Sequence, residues 1–269
     1  MSSVTTDPFR EFKQRQREGW KFFAPLESST TLSAAQLVNF AEIRAGQAVL
    51  DVGTGTGVVA ITARRRGARV SGLDLTPELL VRARENSAIA GIDDIDWKEG
   101  DAESLPYGDA SFDVVMSEFG HMFAPRPEVA IGEMLRVLKP GGRVTFATWP
   151  PEFLIGRMFT LVSKYLPLPP GASPPSQWGD PAMVRERLGD RVRDLAFSGG
   201  VMFVPALSPQ HYRATMEATS GPVIKLVESL RDDAAKLAGF RAEIEALASQ
   251  YLLDNAARQD FLLTRATKN

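Results

Sequence analysis

The chain has 269 residues, 44% of them apolar and 24% charged, a composition able to bury a full core and one that excludes disordered, collagenous and fibrous architectures. A net charge of −2 gives no basic surplus for phosphate backbones and weighs against a dedicated nucleic-acid binder. Cysteine is absent, which removes disulfide frameworks, thiolate-held metals and every thiolate nucleophile.

No uninterrupted apolar stretch approaches the ~18 to 20 residues that span a bilayer, so membrane insertion is not expected. The amino terminus lacks an apolar signal core and carries Asp7, Glu11 and Glu18 among its basic residues; the expected location is the cytoplasm. Residues 8–45 predict two helical stretches, the first bearing Phe9, Phe12, Trp20, Phe22 and Phe23, the second starting at Ser33 as a helix cap. From Gln47 to Trp149, β-rich runs alternate with helical ones: AVLDVG (48–53), RVSGLDL (69–75), DIDWKEGD (94–101), FDVVMS (112–117) and RVTFATW (143–149). Such alternation implies βαβ crossovers and a parallel sheet. Six prolines between Leu166 and Pro181 predict a loop, lid boundary or linker. A helix (181–188), a strand (195–204), helices over 209–218 and 222–250, and a last strand (261–267) follow.

VLDVGTGTG (49–57) places Gly53, Gly55 and Gly57 between a strand and a helix, where free N–H groups attract an anion and missing Cβ atoms admit a ligand. Gly55 to Ala60 also fits the dinucleotide pattern GxGxxA, with Asp74 at the spacing of a ribose-binding acid, so a nicotinamide-dependent oxidoreductase is the competing enzyme class. Asp51 at the loop's mouth would repel a pyrophosphate. A ligand with an ammonium and a carboxylate suits the place better, and Asp101 adds a third acid at a third strand end.

These motifs, with SGLDLTPELL (71–80), GDAESLPYGDASFDVV (100–115) and MLRVLKPGGRVTFATW (134–149), resemble the class I S-adenosylmethionine-dependent methyltransferases, in particular the ubiquinone and menaquinone biosynthesis branch, over residues 47–149. The resemblance implies a Rossmann-like, doubly wound, mostly parallel seven-stranded α/β sheet and S-adenosylmethionine as cofactor. It implies that Asp51, Gly53, Gly55 and Gly57 hold the methionine moiety, Asp74 and Leu75 the ribose side, and Asp101 and Ala102 the adenine; Thr54 of the loop and Ser117 at the fourth strand end join the cofactor set. LKPGG (138–142) resembles the family's turn into strand five. On this reading residues 1–45 form a helical lid and 46–269 the methyltransferase domain. The cofactor core spans 47–149, the acceptor-side caps 150–190 and 205–255, and the last strands lie in 194–204 and 259–267.

Methyl transfer from a sulfonium is one in-line displacement, for which the protein aligns the acceptor and excludes water. A phenol, enol or activated ring carbon would gain from a base near the fourth strand end, and the candidates are His121 and Glu118. The Asn/Asp-Pro-Pro-aromatic sequence of amino-methylating nucleic-acid enzymes is missing at SEFG, and no Asp or Asn lies between Ser117 and Pro127 to build an oxygen-ligand metal site. A small apolar or aromatic acceptor and metal-free transfer are therefore expected, with no nucleic-acid partner; the sequence leaves the oligomeric state open. Trp20, Phe23, Trp149, Met158, Tyr165 and Trp178 are candidate lining. A noncatalytic cofactor-binding protein on the same fold is the third reading.

Overall fold

The computed structural model describes residues 7–269; residues 1–6 of the expected lid lie outside that range. The alternating pattern becomes strands β1 (Ala48–Val52), β2 (Arg69–Asp74), β3 (Asp96–Glu99), β4 (Phe112–Glu118), β5 (Leu138–Thr148), β6 (Val192–Pro205), β7 (Leu252–Leu253) and β8 (Ala256–Lys268). They form one sheet in the order β3-β2-β1-β4-β5-β8-β6, with the two-residue β7 pairing beside β8. The pairs among β1 to β5 are parallel, and β8 runs against both β5 and β6. Strand order reverses between β1 and β4, and the carboxyl ends at such a reversal open a crevice for ligands. Central strands buried on both faces read as continuous apolar runs, and Val49, Leu50, Val52, Val114, Val115 and Met116 are all fully buried.

Helices α1 (Arg10–Trp20), α2 (Glu27–Phe40), α3 (Val58–Arg65), α4 (Pro77–Ile89), α5 (Pro127–Val137), α6 (Leu154–Tyr165), α7 (Pro181–Leu188), α8 (Pro209–Thr219), α9 (Gly221–Ser229) and α10 (Ala234–Ser249) complete the fold. α2 packs against α3 and β6, while α1, α6, α8 and α10 gather around α9 or one another. The α1–α9 approach depends on glycine at both sides: a Cβ on Gly19 would stand 3.0 Å from the Gly221 Cα.

Four boundaries differ from expectation. α2 starts at Glu27, directly after a short 3₁₀ turn at Ala24–Leu26, and Ser33 lies inside it with its hydroxyl donating to the Thr30 carbonyl at 3.0 Å. The helix expected over 222–250 is two, because Asp233 accepts the Lys236 N–H at 3.0 Å and caps a new start. β5 already begins at Leu138, its register against β4 shifting after Phe112, and β8 begins at Ala256. Within the proline-rich segment, a 3₁₀ turn (Pro175–Gly179) buries Trp178. No helix among the described residues is long and apolar enough to cross a membrane.

Candidate active site

The three glycines of the loop after β1 serve three different ends. Gly53 takes φ +68°, and a Cβ there would lie 2.7 Å from the Gly120 Cα, so the loops after β1 and β4 can touch. Gly57, at φ +85°, starts α3 under the Trp97 ring, which a Cβ would meet at 2.7 Å. Gly55, at φ +54°, faces open space, with nothing within 4 Å of the position its Cβ would take. Gly53 and Gly55 line a cleft of about 1490 Å³, its open mouth included; Gly57 does not.

Asp51 is buried at that cleft, with Oδ2 accepting from the Thr54 hydroxyl at 2.6 Å and Oδ1 left without a partner. Burial raises its pKa to about 7; the Thr54 bond opposes the shift and the nearby Asp74 charge adds to it. Asp74, at the end of β2, accepts the Gly55 N–H at Oδ2 and the Thr76 N–H at Oδ1, both at 2.8 Å. Burial pushes its pKa up although both backbone bonds pull it down. Asp101 follows β3 and accepts the Glu103 N–H at 2.9 Å. Leu75 and Ala102 line the same cleft beside their acids.

Sequence spacing does not reveal Lys13. This α1 residue enters the cleft and donates to Asp101 and Glu103 at 2.6 Å and to Asp7 at 2.7 Å. Burial acts to lower its pKa, but the three acids outweigh it and hold the ammonium charged. The three carboxylates have the spacing of a metal site, yet the Lys13 ammonium stands among them. Arg126 pairs with Glu103 at 2.6 Å and completes the ionic group.

Past Asp51 the lining turns apolar. Trp20, Phe23, Trp149 and Met158 line it as expected, joined by Phe119, Phe123, Ile155, Phe159, Met202, Val204 and Met216 from elements far apart in sequence. Phe119 stacks on Trp149 with ring centroids 3.9 Å apart. Tyr165 and Trp178 lie elsewhere. The Tyr165 hydroxyl donates to Glu243 at 2.6 Å, and Trp178 packs under the Arg187 guanidinium, 4.7 Å from its ring.

The structure also places His121 and Ser117 away from the cleft. His121 is 1% exposed, between Phe146 and Trp178, with neither ring nitrogen partnered. Burial, helped by Arg187, depresses its pKa to about 3, so the imidazole is neutral and has no path to an acceptor's proton. Ser117 donates to the Val52 carbonyl at 2.6 Å and accepts the His121 N–H at 3.0 Å, which joins β4 to β1 and fixes the loop beyond it. Glu118 does line the cleft, with Oε1 buried and without a partner. Burial raises its pKa to about 8, opposed by Ser33 and helped by Asp51.

These residues fit S-adenosylmethionine: a buried carboxylate oxygen without a partner, a glycine whose missing Cβ leaves open space, and acids at the ends of three neighbouring strands. Comparison with known proteins agrees. Residues 50–146 match the family described as Methyltransferase domain. An uncharacterized protein of Mycobacterium tuberculosis, Rv1403c, is 37% identical over 234 residues, 86% of this chain and 85% of its own. The ubiquinone/menaquinone biosynthesis C-methyltransferase UbiE of Roseobacter denitrificans is 42% identical over 104 residues, 38% of this chain and 42% of its own. In fold, the chain resembles a putative methyltransferase of Bacillus halodurans, with a TM-score of 0.58 at 23% identity, over 87% of this chain and 98% of that one. The chain belongs to the class I S-adenosylmethionine-dependent methyltransferases.

Proposed function

We propose that the protein methylates oxygen or carbon of a small, largely apolar or aromatic acceptor by in-line displacement. One observation carries this reading: a single cleft runs from Asp74 and Asp51 to an aromatic and aliphatic wall with no protein between. S-adenosylmethionine, when bound, supplies an electrophilic methyl on a sulfonium. The apolar wall holds the acceptor's body and keeps out water. Glu118 is proposed to take the acceptor's proton. Of the ionisable side chains that line the cleft, Asp74 and Asp101 hold backbone N–H groups, Lys13 is bound to acids, and Asp51 is bonded to Thr54. The Glu118 pKa, about 8 in the ligand-free site, marks it as the lining acid that most readily takes up a proton.

Supplied with S-adenosylmethionine, the protein is expected to methylate an apolar phenol such as 1-naphthol and to leave glycine unmodified, as read by mass spectrometry of the products. Transfer to glycine with none to any phenol would overturn the apolar assignment.

The α1 segment is proposed to act as a lid. It carries Lys13, Gln16 and Trp20 to the cleft, and Gln16 donates to the Phe123 carbonyl at 2.9 Å. Binding of S-adenosylhomocysteine with 1-naphthol is expected to slow hydrogen exchange across residues 10–20 severalfold. Exchange already as slow as in the central strands, and indifferent to ligands, would make α1 fixed scaffold.

A further inference from the structure

Two carboxyl groups, that of the buried Asp51 and that of the half-buried Glu118, line the same cleft, and among the described residues no basic side chain pairs with either. Strand register sets Asp51 beside Met116 of β4, and Glu118 follows two residues later, so Asp51 and Glu118 rise from the same face of the sheet. Both line the cleft, and each keeps one buried oxygen without a partner, Oδ1 of Asp51 and Oε1 of Glu118. Among the described residues, the elements around Glu118 bring it few charges. β1 contributes Asp51, with Asp74 of β2 beyond it; α2 faces it with the Ser33 hydroxyl. β6 lines the cleft with the neutral Met202 and Val204. Among the described residues Lys13 is the one basic residue of the lining, and three other acids hold it.

A buried acid lacking a cation is costly in its charged form and waits either for a proton or for a positive ligand. S-adenosylmethionine carries two cationic centres, an ammonium that is kept through the reaction and a sulfonium that exists only before transfer. We infer that Asp51 answers the ammonium and Glu118 the sulfonium, so that Glu118 makes the site distinguish the charged cofactor from its uncharged product. The inference rests on the methyltransferase reading and extends it to product release.

The charges balance through the reaction. The methyl carbon–sulfur bond breaks with its electron pair left on sulfur, the acceptor oxygen or carbon forms the new bond to the methyl, and the proton it loses passes to the Glu118 carboxylate. A sulfonium beside a carboxylate becomes a thioether beside a neutral carboxyl. The attraction that favoured the cofactor has then vanished, while the ammonium and ribose contacts are common to both ligands. The raised pKa values of Asp51 and Glu118 in the ligand-free site, about 7 and about 8, agree with a pair short of positive charge.

The test is calorimetric titration of the full chain with S-adenosylmethionine and with S-adenosylhomocysteine at pH 6 and pH 8. Below the pKa of Glu118 the cofactor must displace a proton that the product need not, so the preference for cofactor over product is expected to rise with pH. The limit is about tenfold per pH unit. Titration of Asp51 affects both ligands and cancels in the ratio. Glu118→Gln should give a ratio that no longer changes with pH, and Glu118→Asp, which keeps the acid, should retain the rise. A flat ratio in the wild type, or an undiminished rise in Glu118→Gln, would overturn the inference while leaving the cofactor assignment intact. Failure of both ligands to bind the wild type at either pH would overturn the cofactor assignment as well.

Discussion

Replacement of Asp74 by Ala is expected to weaken S-adenosylhomocysteine binding about thirtyfold, equivalent to about 2 kcal/mol. Each carboxylate oxygen holds one backbone N–H, Gly55 on one side and Thr76 on the other, both at 2.8 Å. The carboxylate thus ties the open corner of the glycine loop to the start of α4, and its remaining lone pairs face the cleft where the ribose hydroxyls are assigned. Alanine removes the proposed ribose contact and leaves the two N–H groups to find other partners. Asp74→Asn keeps an oxygen for one of them and should fall between wild type and alanine. Calorimetric dissociation constants for the three proteins check the order, and an unchanged constant in Asp74→Ala would reject the ribose assignment.

The second large effect concerns stability in the absence of ligand. Burial raises the pKa of Glu118 from an ordinary 4.5 to about 8, with Asp51 adding to the rise. The folded chain therefore holds this proton more tightly than the unfolded chain. The stability that this contributes is complete below about pH 4.5 and is lost progressively as pH rises to 8. Glu118→Gln cannot titrate. Its melting temperature relative to wild type should therefore climb between pH 5 and pH 8, by an amount corresponding to about 3 to 4 kcal/mol, or roughly 6 to 15 °C for a chain of this size. Asp51 titrates in both proteins, so the comparison removes its own contribution and keeps only the part that depends on the Glu118 charge. Melting curves recorded at several pH values measure the difference. A difference that stays constant with pH would mean that Glu118 is ionised in the folded protein at all these values.

Much of the cofactor half was legible because it is local in sequence. Asp51, Gly53, Thr54 and Gly55 lie within five consecutive residues, and Asp74 and Asp101 each end a strand whose β-rich run is visible. Helix starts with a strong cap were legible too, as at α8, where Ser208 accepts the His211 N–H at 3.1 Å. One failure is local, and the others come from long-range packing. Ser33 looks like a cap in the sequence, but Pro25 in the preceding turn starts the helix earlier. His121 reads as a polar loop residue, yet Phe146 and Trp178, 25 and 57 positions away, enclose it. Lys13 carries no local signal, because its partners Asp101 and Glu103 are 88 and 90 residues distant. The apolar wall is assembled from α1, α6, β6 and α8, whose periodicity marks a buried face without showing that the face is turned to a ligand.

The acids at three strand ends and the open glycine corner are proposed to form a site for an adenosyl amino acid. Titration of the wild-type protein with S-adenosylhomocysteine and, separately, with NADH tests it most directly. The predicted result is saturable binding of one S-adenosylhomocysteine per chain and no heat from NADH, whose pyrophosphate would meet the buried Asp51. Saturable binding of NADH with none of S-adenosylhomocysteine would contradict the account.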